Sequence, residues 1–302
     1  MVIAFVVFPA CTEVFEEDLE GAGVVLLTPP PDHTTTANQI QFRWETVPHA
    51  SNYRIQVASP SFVNPASFLT DSASANTSWT QTFSPGTYEW RVRGENSNSH
   101  TEYFTRAFTI ESTEDLTGQV PLLVSPADNT VTSNTSVTFE WDTLPFTDDN
   151  RFQLREDDQL GTVVQDLITP DNTITLSALT EGHFAWGVQA TNTVPSSSAF
   201  AFRSITIDTT APTAPVQVTP ASGATLTDGT FIFLWQGGQD ALTNTSDSLL
   251  VKDAFSQLIR SIGGLDGSHA DSLGTGTYTW SVKTVDAAGN ASTAGPIAFT
   301  VP

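Results

Sequence analysis

Cysteine is almost missing from this chain. Cys11 stands alone, so no intrachain disulfide can brace the fold and no second thiolate is available for a zinc site. Whatever domains form must be held by packing alone. Basic residues are nearly as scarce: 11 Lys and Arg face 33 Asp and Glu, for a formal charge of −22, and Lys252 and Lys283 are the only lysines. Such a chain repels phosphate backbones, which excludes nucleic acid as a partner and leaves cations, basic surfaces or a salty medium. No stretch sustains a capped helical period; residues 248–262 are the one place where a helical turn fits the pattern. There is no phosphate-binding glycine loop, nucleophile elbow or H-E-x-x-H helix. The five histidines, at 33, 49, 100, 183 and 269, share no metal-ligand spacing. His183 matches Thr87 and Thr277 in register and reads as a surface substitution. Together these absences argue against an enzyme.

Tryptophan carries the positive signal. Phe42-Arg43-Trp44 recurs as Phe139-Glu140-Trp141 and Phe233-Leu234-Trp235. Tyr88-Glu89-Trp90-Arg91-Val92 recurs as Phe184-Ala185-Trp186-Gly187-Val188 and Tyr278-Thr279-Trp280-Ser281-Val282. The two tryptophans of each copy lie 46, 45 and 45 residues apart, and Pro29, Pro126 and Pro220 each precede the first by 15. A register this regular means three copies of one domain, each about 90 residues and long enough for its own core. The six repeated tryptophans fall on the apolar face of alternating strands and are expected in the cores.

Alternation at period two marks the strands, as in Tyr53, Ile55 and Val57 against Arg54 and Gln56. Each copy closes on a similar strand: Phe108-Thr109-Ile110, Ile205-Thr206-Ile207 and Phe299-Thr300-Val301. Short strands with frequent turn signals predict an all-β chain of three tandem immunoglobulin-like sandwiches. The order proline, F-x-W, Y-x-W-x-V, hairpin, last strand resembles the bacterial fibronectin type III-like domain. The match is strongest from Tyr278 to Asn290, where Asp286-Ala287-Ala288-Gly289-Asn290 would form the turn between the last two strands. The resemblance implies a fold and little about function. Expected boundaries are 24–111, 120–208 and 213–302, after a leader and acidic tether at 1–23. The linker at 111–119 reads as acidic and flexible, that at 208–215 as stiffer through its prolines.

Residues 2–10 form an apolar run too short for a bilayer span, which takes roughly 20 residues. Ala10 followed by Cys11 resembles a bacterial lipobox, although Phe8 and Pro9 depart from the pattern and no Lys or Arg precedes. The acidic run at 12–20 resembles the export tag of Bacteroidetes-type surface lipoproteins. The resemblance implies lipidation at Cys11 and an outer-membrane, cell-surface location, with secretion as the alternative.

Two further groups invite a site. Asp148 and Asp149, with Asp157 and Asp158, flank one strand of the second copy and could present oxygen ligands to a structural calcium. The loop at 286–290 offers a similar set, and a solvated acidic edge is the preferred account of both. Trp79, Phe62, Tyr103 and Phe104 lie outside the repeat in the first copy, as aromatics that contact a ligand or partner would. Padding of the first core is the competing explanation. The expected role is that of a non-catalytic adhesion, spacer or scaffold module with an outer-membrane or extracellular protein partner. A glycan-binding accessory lipoprotein using those aromatics is the alternative.

Overall fold

The three strands bearing the F-x-W units alternate buried and exposed side chains through those units, so sequence alternation translates directly into sheets with one face turned to a core. The computed structural model describes residues 17–194, 196–227 and 229–302. Cys11 and the apolar run before it lie outside the described residues.

The first sandwich comprises β1 (Leu26–Thr28), β2 (His33–Thr35), β3 (Gln39–Trp44), β4 (Asn52–Ser59), β5 (Ser67–Ser74), β6 (Ser78–Thr82), β7 (Gly86–Glu95) and β8 (Phe104–Ile110). The second comprises β9 (Leu122–Ser125), β10 (Thr130–Thr132), β11 (Val137–Asp142), β12 (Asp149–Glu156), β13 (Val163–Thr169), β14 (Thr173–Leu176), β15 (Gly182–Thr191) and β16 (Ala201–Ile207). The third comprises β17 (Val216–Thr219), β18 (Ala224–Thr225), β19 (Phe231–Gln236), β20 (Thr245–Asp253), β21 (Leu258–Leu265), β22 (Ser268–Asp271), β23 (Gly276–Asp286) and β24 (Ala291–Val301).

In each copy a three-stranded sheet is paired with a five-stranded one. In the first, β1-β3-β6 complements β2-β8-β7-β4-β5, and the same orders recur twice more. The second strand of each copy runs parallel to the last, as β2 does to β8. These are three tandem immunoglobulin-like sandwiches, as the sequence predicted. No helix occurs among the described residues. Residues 248–262 instead contribute to β20 and β21, joined by a turn in which Asp253 accepts hydrogen bonds from the amides of Phe255 and Gln257.

All six repeated tryptophans are buried. The same ring pair sits at the centre of each core: Phe42 with Trp90 at 4.9 Å, Phe139 with Trp186 at 5.2 Å and Phe233 with Trp280 at 5.2 Å, tilted by 50°, 55° and 56°. The third copy treats its indoles differently. Trp235 donates to the buried Asp247 at 2.6 Å and Trp280 to the Pro220 carbonyl at 3.0 Å. The indole nitrogens of Trp44, Trp90, Trp141 and Trp186 have no hydrogen-bond partner among the described residues. In those copies Arg106 and Arg203 reach the corresponding proline carbonyls, Pro29 and Pro126.

The first linker departs from the sequence reading. Glu114-Asp115-Leu116-Thr117-Gly118 is not a loose tether, because Leu116 is 1% exposed and packs with Leu144 and Ala190. The Leu116 amide donates to Ser196 Oγ at 3.1 Å, and Asn192 Nδ2 donates to the Glu114 carbonyl at 2.8 Å. At its far end Val120 and Asn38 exchange two hydrogen bonds of 2.8 Å. The same element precedes β1. Glu17-Asp18-Leu19-Glu20-Gly21 buries Leu19 in the first core at 1% exposure. There the Leu19 amide donates to Ser99 Oγ at 2.9 Å, and Asn96 Nδ2 to the Glu17 carbonyl at 2.8 Å. Each leucine carbonyl accepts an amide three residues on, from Ala22 or Gln119, across a glycine at φ 84° or 81°. That left-handed conformation is why both plugs carry glycine there. The acidic run before β1 therefore ends as a leucine plug, and Leu19 belongs to the first sandwich although the sequence placed it in the tether.

The second linker is held by analogous means. Asn290 Nδ2 donates to the Asp208 carbonyl at 2.8 Å and Ser292 Oγ to that of Pro212 at 2.5 Å. At the other end the Thr209 and Thr210 hydroxyls donate to Glu181. These bonds hold the Glu181 carboxyl below its ordinary range, the Thr210 hydroxyl contributing most.

By packing, the described residues divide into two compact units. One takes those from 17 to 122 and those within 143–148 and 190–199; the other takes those within 123–142, 149–189 and 200–302.

Candidate functional site

The non-repeated aromatics of the first sandwich separate into two kinds. Trp79 on β6 lies directly across from Phe42, half-buried against the core, and its indole N–H donates to Gln81 Oε1 at 3.2 Å. Ile174 holds the same place opposite Phe139 and also packs against its core. The fold thus explains Trp79, whose position lines a core whichever residue fills it. Phe104 is 46% exposed and leans on Gly23, where a Cβ would approach its ring to 3.0 Å.

Phe62 and Tyr103 come together around an arginine. Strand β7 turns Glu89, Arg91, Arg93 and Glu95 to the outer face of the five-stranded sheet, because Tyr88, Trp90 and Val92 alternate into the core. The Arg91 guanidinium lies over the Phe62 ring at 4.0 Å and over the Tyr103 ring at 4.2 Å. Arg93 lies over Tyr103 as well, at 4.9 Å. Beyond Phe62 comes Phe68, with ring centroids 5.9 Å apart. The loop carrying Phe62 is fixed by its amide, which donates to Glu89 Oε2 at 2.8 Å. Burial pushes the Tyr103 phenol above its ordinary value, with both arginines opposing the shift. The result is a row of rings and guanidinium groups. A sugar stacking on the face of Tyr103 that a guanidinium covers would have to displace it.

The four acidic residues flagged in the second copy are divided between the two ends of β12. Asp148 and Asp149 stand at its start, where Asp148 Oδ2 accepts the Thr193 amide at 2.6 Å. Asp157 and Asp158 stand in the turn after its end, where Asp158 Oδ1 accepts the Leu160 amide at 2.7 Å. Seven residues lie between the two pairs, and the eight steps from Asp149 to Asp157 span roughly 26 Å of strand.

A different acidic group does converge. Asp208 follows β16, Asp240 lies between β19 and β20, and Asp286 ends β23; one carboxylate oxygen from each lies within 4.8 Å of the others. Asp208 and Asp286 are buried, at 0% and 6% exposure. Asp208 accepts the Thr243 hydroxyl at 2.8 Å, and Asp286 accepts the Asn290 amide and side chain, both at 2.9 Å. Amide hydrogen bonds from Leu242 and then Thr243 hold the Asp240 carboxyl below its ordinary range. Among the described residues none of the three forms an ion pair. An all-oxygen set of this kind suits a hard cation such as calcium. Sequence reasoning reached the loop at 286–290 but not Asp208 or Asp240, which come from separate loops.

The lowered Asp240 carboxyl gives a test, because a charge that its surroundings favour costs stability when it is neutralised. Asp240→Asn keeps the acceptor for the two amides and removes one charge. In chelator-containing buffer the variant should melt lower than the parent, by something on the order of 2 °C. A higher midpoint would mean that repulsion from Asp208 and Asp286 outweighs those hydrogen bonds. Repeating both melts in calcium should widen the difference if the three carboxylates hold the ion.

No family model matches the chain, and no curated protein matches it. Among solved structures it is similar to the fibronectin(III)-like modules of Clostridium thermocellum CbhA, at 12% identity and a TM-score of 0.39, over 60% of this chain and 92% of that one. The FN1-FN3 domains of chicken CNTN1 align at 14% identity and a TM-score of 0.38, over 92% and 97%. Three N-terminal domains of the bacteriophage RB49 highly immunogenic outer capsid protein (Hoc) align at 12% identity and 0.37, over 92% and 98%.

Proposed function

We propose that the chain is a non-catalytic surface lipoprotein, anchored through Cys11, that serves as an adhesion, spacer or scaffold module in protein–protein contacts at the outer membrane. The observation that carries this reading is the docking of its linkers. Leu116, with Asn192 and Ser196, seats one linker, and Asn290 with Ser292 seats the next. A linker seated by a buried leucine and its own hydrogen bonds suits a spacer or scaffold segment, whereas a loose tether needs none. The net charge of −22 keeps such a protein soluble and directs it toward partners with basic or neutral surfaces.

Two measurements test the proposal. Mass spectrometry of the mature protein from envelope fractions should find an acylated Cys11 as the new N-terminus; an unmodified, uncleaved terminus would remove the anchor. Cross-linking in the native envelope followed by purification should recover a defined, stoichiometric complex with an outer-membrane or extracellular protein. Recovery of the chain alone would contradict the scaffold role.

A further inference from the structure

The fold does not need an arginine at position 91. At the same register the second and third sandwiches carry Gly187 and Ser281. In the second, that space is taken by Phe202, whose ring would lie 2.4 Å from a Cβ on Gly187. The first sandwich instead holds a guanidinium there, between Phe62 and Tyr103.

The three arginines on this face are not equivalent. Arg54 is paired with Asp71, and Arg93 with Glu95 at 2.6 Å. Arg91 donates its Nε to the neutral Gln56 Oε1 at 2.8 Å. Among the described residues it forms no ion pair, and its two terminal nitrogens have no hydrogen-bond partner. Glu89, the carboxylate nearest along the strand, is engaged by the Phe62 amide. Arg91 is thus a half-exposed cation with its plane fixed by two rings and its fork of donors uncommitted. A guanidinium so held matches a carboxylate bidentately and loses little freedom on binding. Beside it are apolar groups open to solvent: Phe68 is 56% exposed and Val63 83%. Arginine and aromatic side chains flanked by apolar surface are what the centre of a protein interface is made of.

We propose that Arg91, clasped between Phe62 and Tyr103, anchors a protein-docking surface and receives a carboxylate of the partner, with an apolar side chain of that partner lying on Phe68. This rests on the protein-interaction role proposed above and names its chemistry. The chain as a whole repels anions, so the partner's carboxylate must be set in a neutral or basic surface.

The test follows the side-chain Nε–Hε signals of Arg54, Arg91 and Arg93 by NMR in the full chain. The probes are a blocked Leu-Glu dipeptide, its Leu-Gln counterpart and galacturonate. The Arg91 signal should shift and saturate with Leu-Glu, with affinity roughly tenfold above Leu-Gln, while the two paired arginines barely move. Arg91→Lys and Arg91→Met should fold normally, since Gly and Ser serve at that register, and in both the shifts that Leu-Glu induces in the Phe62 and Tyr103 ring signals of the parent should vanish. An equal response at all three arginines, or none, would overturn the site. Tighter binding of galacturonate than of Leu-Glu would overturn the protein partner in favour of an acidic glycan. The envelope complex should also be lost with Arg91→Lys, and its persistence would count against Arg91. Absence of any complex with the parent chain would instead count against the scaffold role, because the dipeptide titration stands without it.

Discussion

Phe139→Ala should destabilise the second sandwich by about 3–5 kcal/mol, the usual cost of removing a fully buried aromatic ring. Phe139 is 0% exposed and sits 5.1 Å from Phe152 and 5.2 Å from Trp186, centroid to centroid. Those rings are themselves buried and pinned by their strands, so the cavity cannot collapse cheaply. With Cys11 the lone cysteine, no disulfide limits the damage. A loss of that size is a large share of the about 5–15 kcal/mol that holds an ordinary domain together. Urea unfolding followed by the tryptophan emission of the second sandwich should show its midpoint moved sharply down. A shift below about 1 kcal/mol would mean that the Phe–Trp pair is not the centre of the core.

The second large effect concerns the plug. Leu116→Ala removes a side chain that is 1% exposed but packs in a small cluster, with Leu144 and Ala190. The expected cost is about 2 kcal/mol, at the low end for a buried leucine because the cluster has room to close. Its character should differ from that of Phe139→Ala. The loss should fall on the linker, seen as limited proteolysis within residues 111–120, with the core transitions of the sandwiches almost unmoved. Leu19→Ala probes the sister plug, and there the loss should reach the first core, in which Leu19 is packed. If Leu116→Ala left the linker as resistant as before, the leucine would be incidental to its docking.

These contrasts bear on what the sequence made legible. The sandwiches could be read because a core position repeats: Trp44, Trp141 and Trp235 must face inward in any copy, and their spacing exposes the period. The plugs repeat as well, as Glu17-Asp18-Leu19 and Glu114-Asp115-Leu116, 97 residues apart like the first two F-x-W units. They were hidden by composition, since a leucine amid carboxylates looks like part of a solvated run until its partners Ser99 and Ser196 are in place. Of the four candidate aromatics, non-repetition did single out Phe62 and Tyr103. It could not show that both close on Arg91, because that depends on β7 turning Arg91 outward beneath a loop some 30 residues earlier in the chain. Trp79 misled for the opposite reason. Its replacement by Ile174 suggested a residue free of the fold, whereas both are alternative fillers of one core-lining position. Asp208, Asp240 and Asp286 lie so far apart in sequence that only folding reveals them as a group.

Amide hydrogen exchange across residues 111–120 tests the docked linker most directly. The amides of Leu116, Gln119 and Val120, which donate to Ser196 Oγ, the Leu116 carbonyl and Asn38 Oδ1, should exchange far more slowly than an open chain. Leu116→Ala should release them. Exchange of those three amides at open-chain rates in the parent protein would contradict the account, leaving three sandwiches on loose tethers.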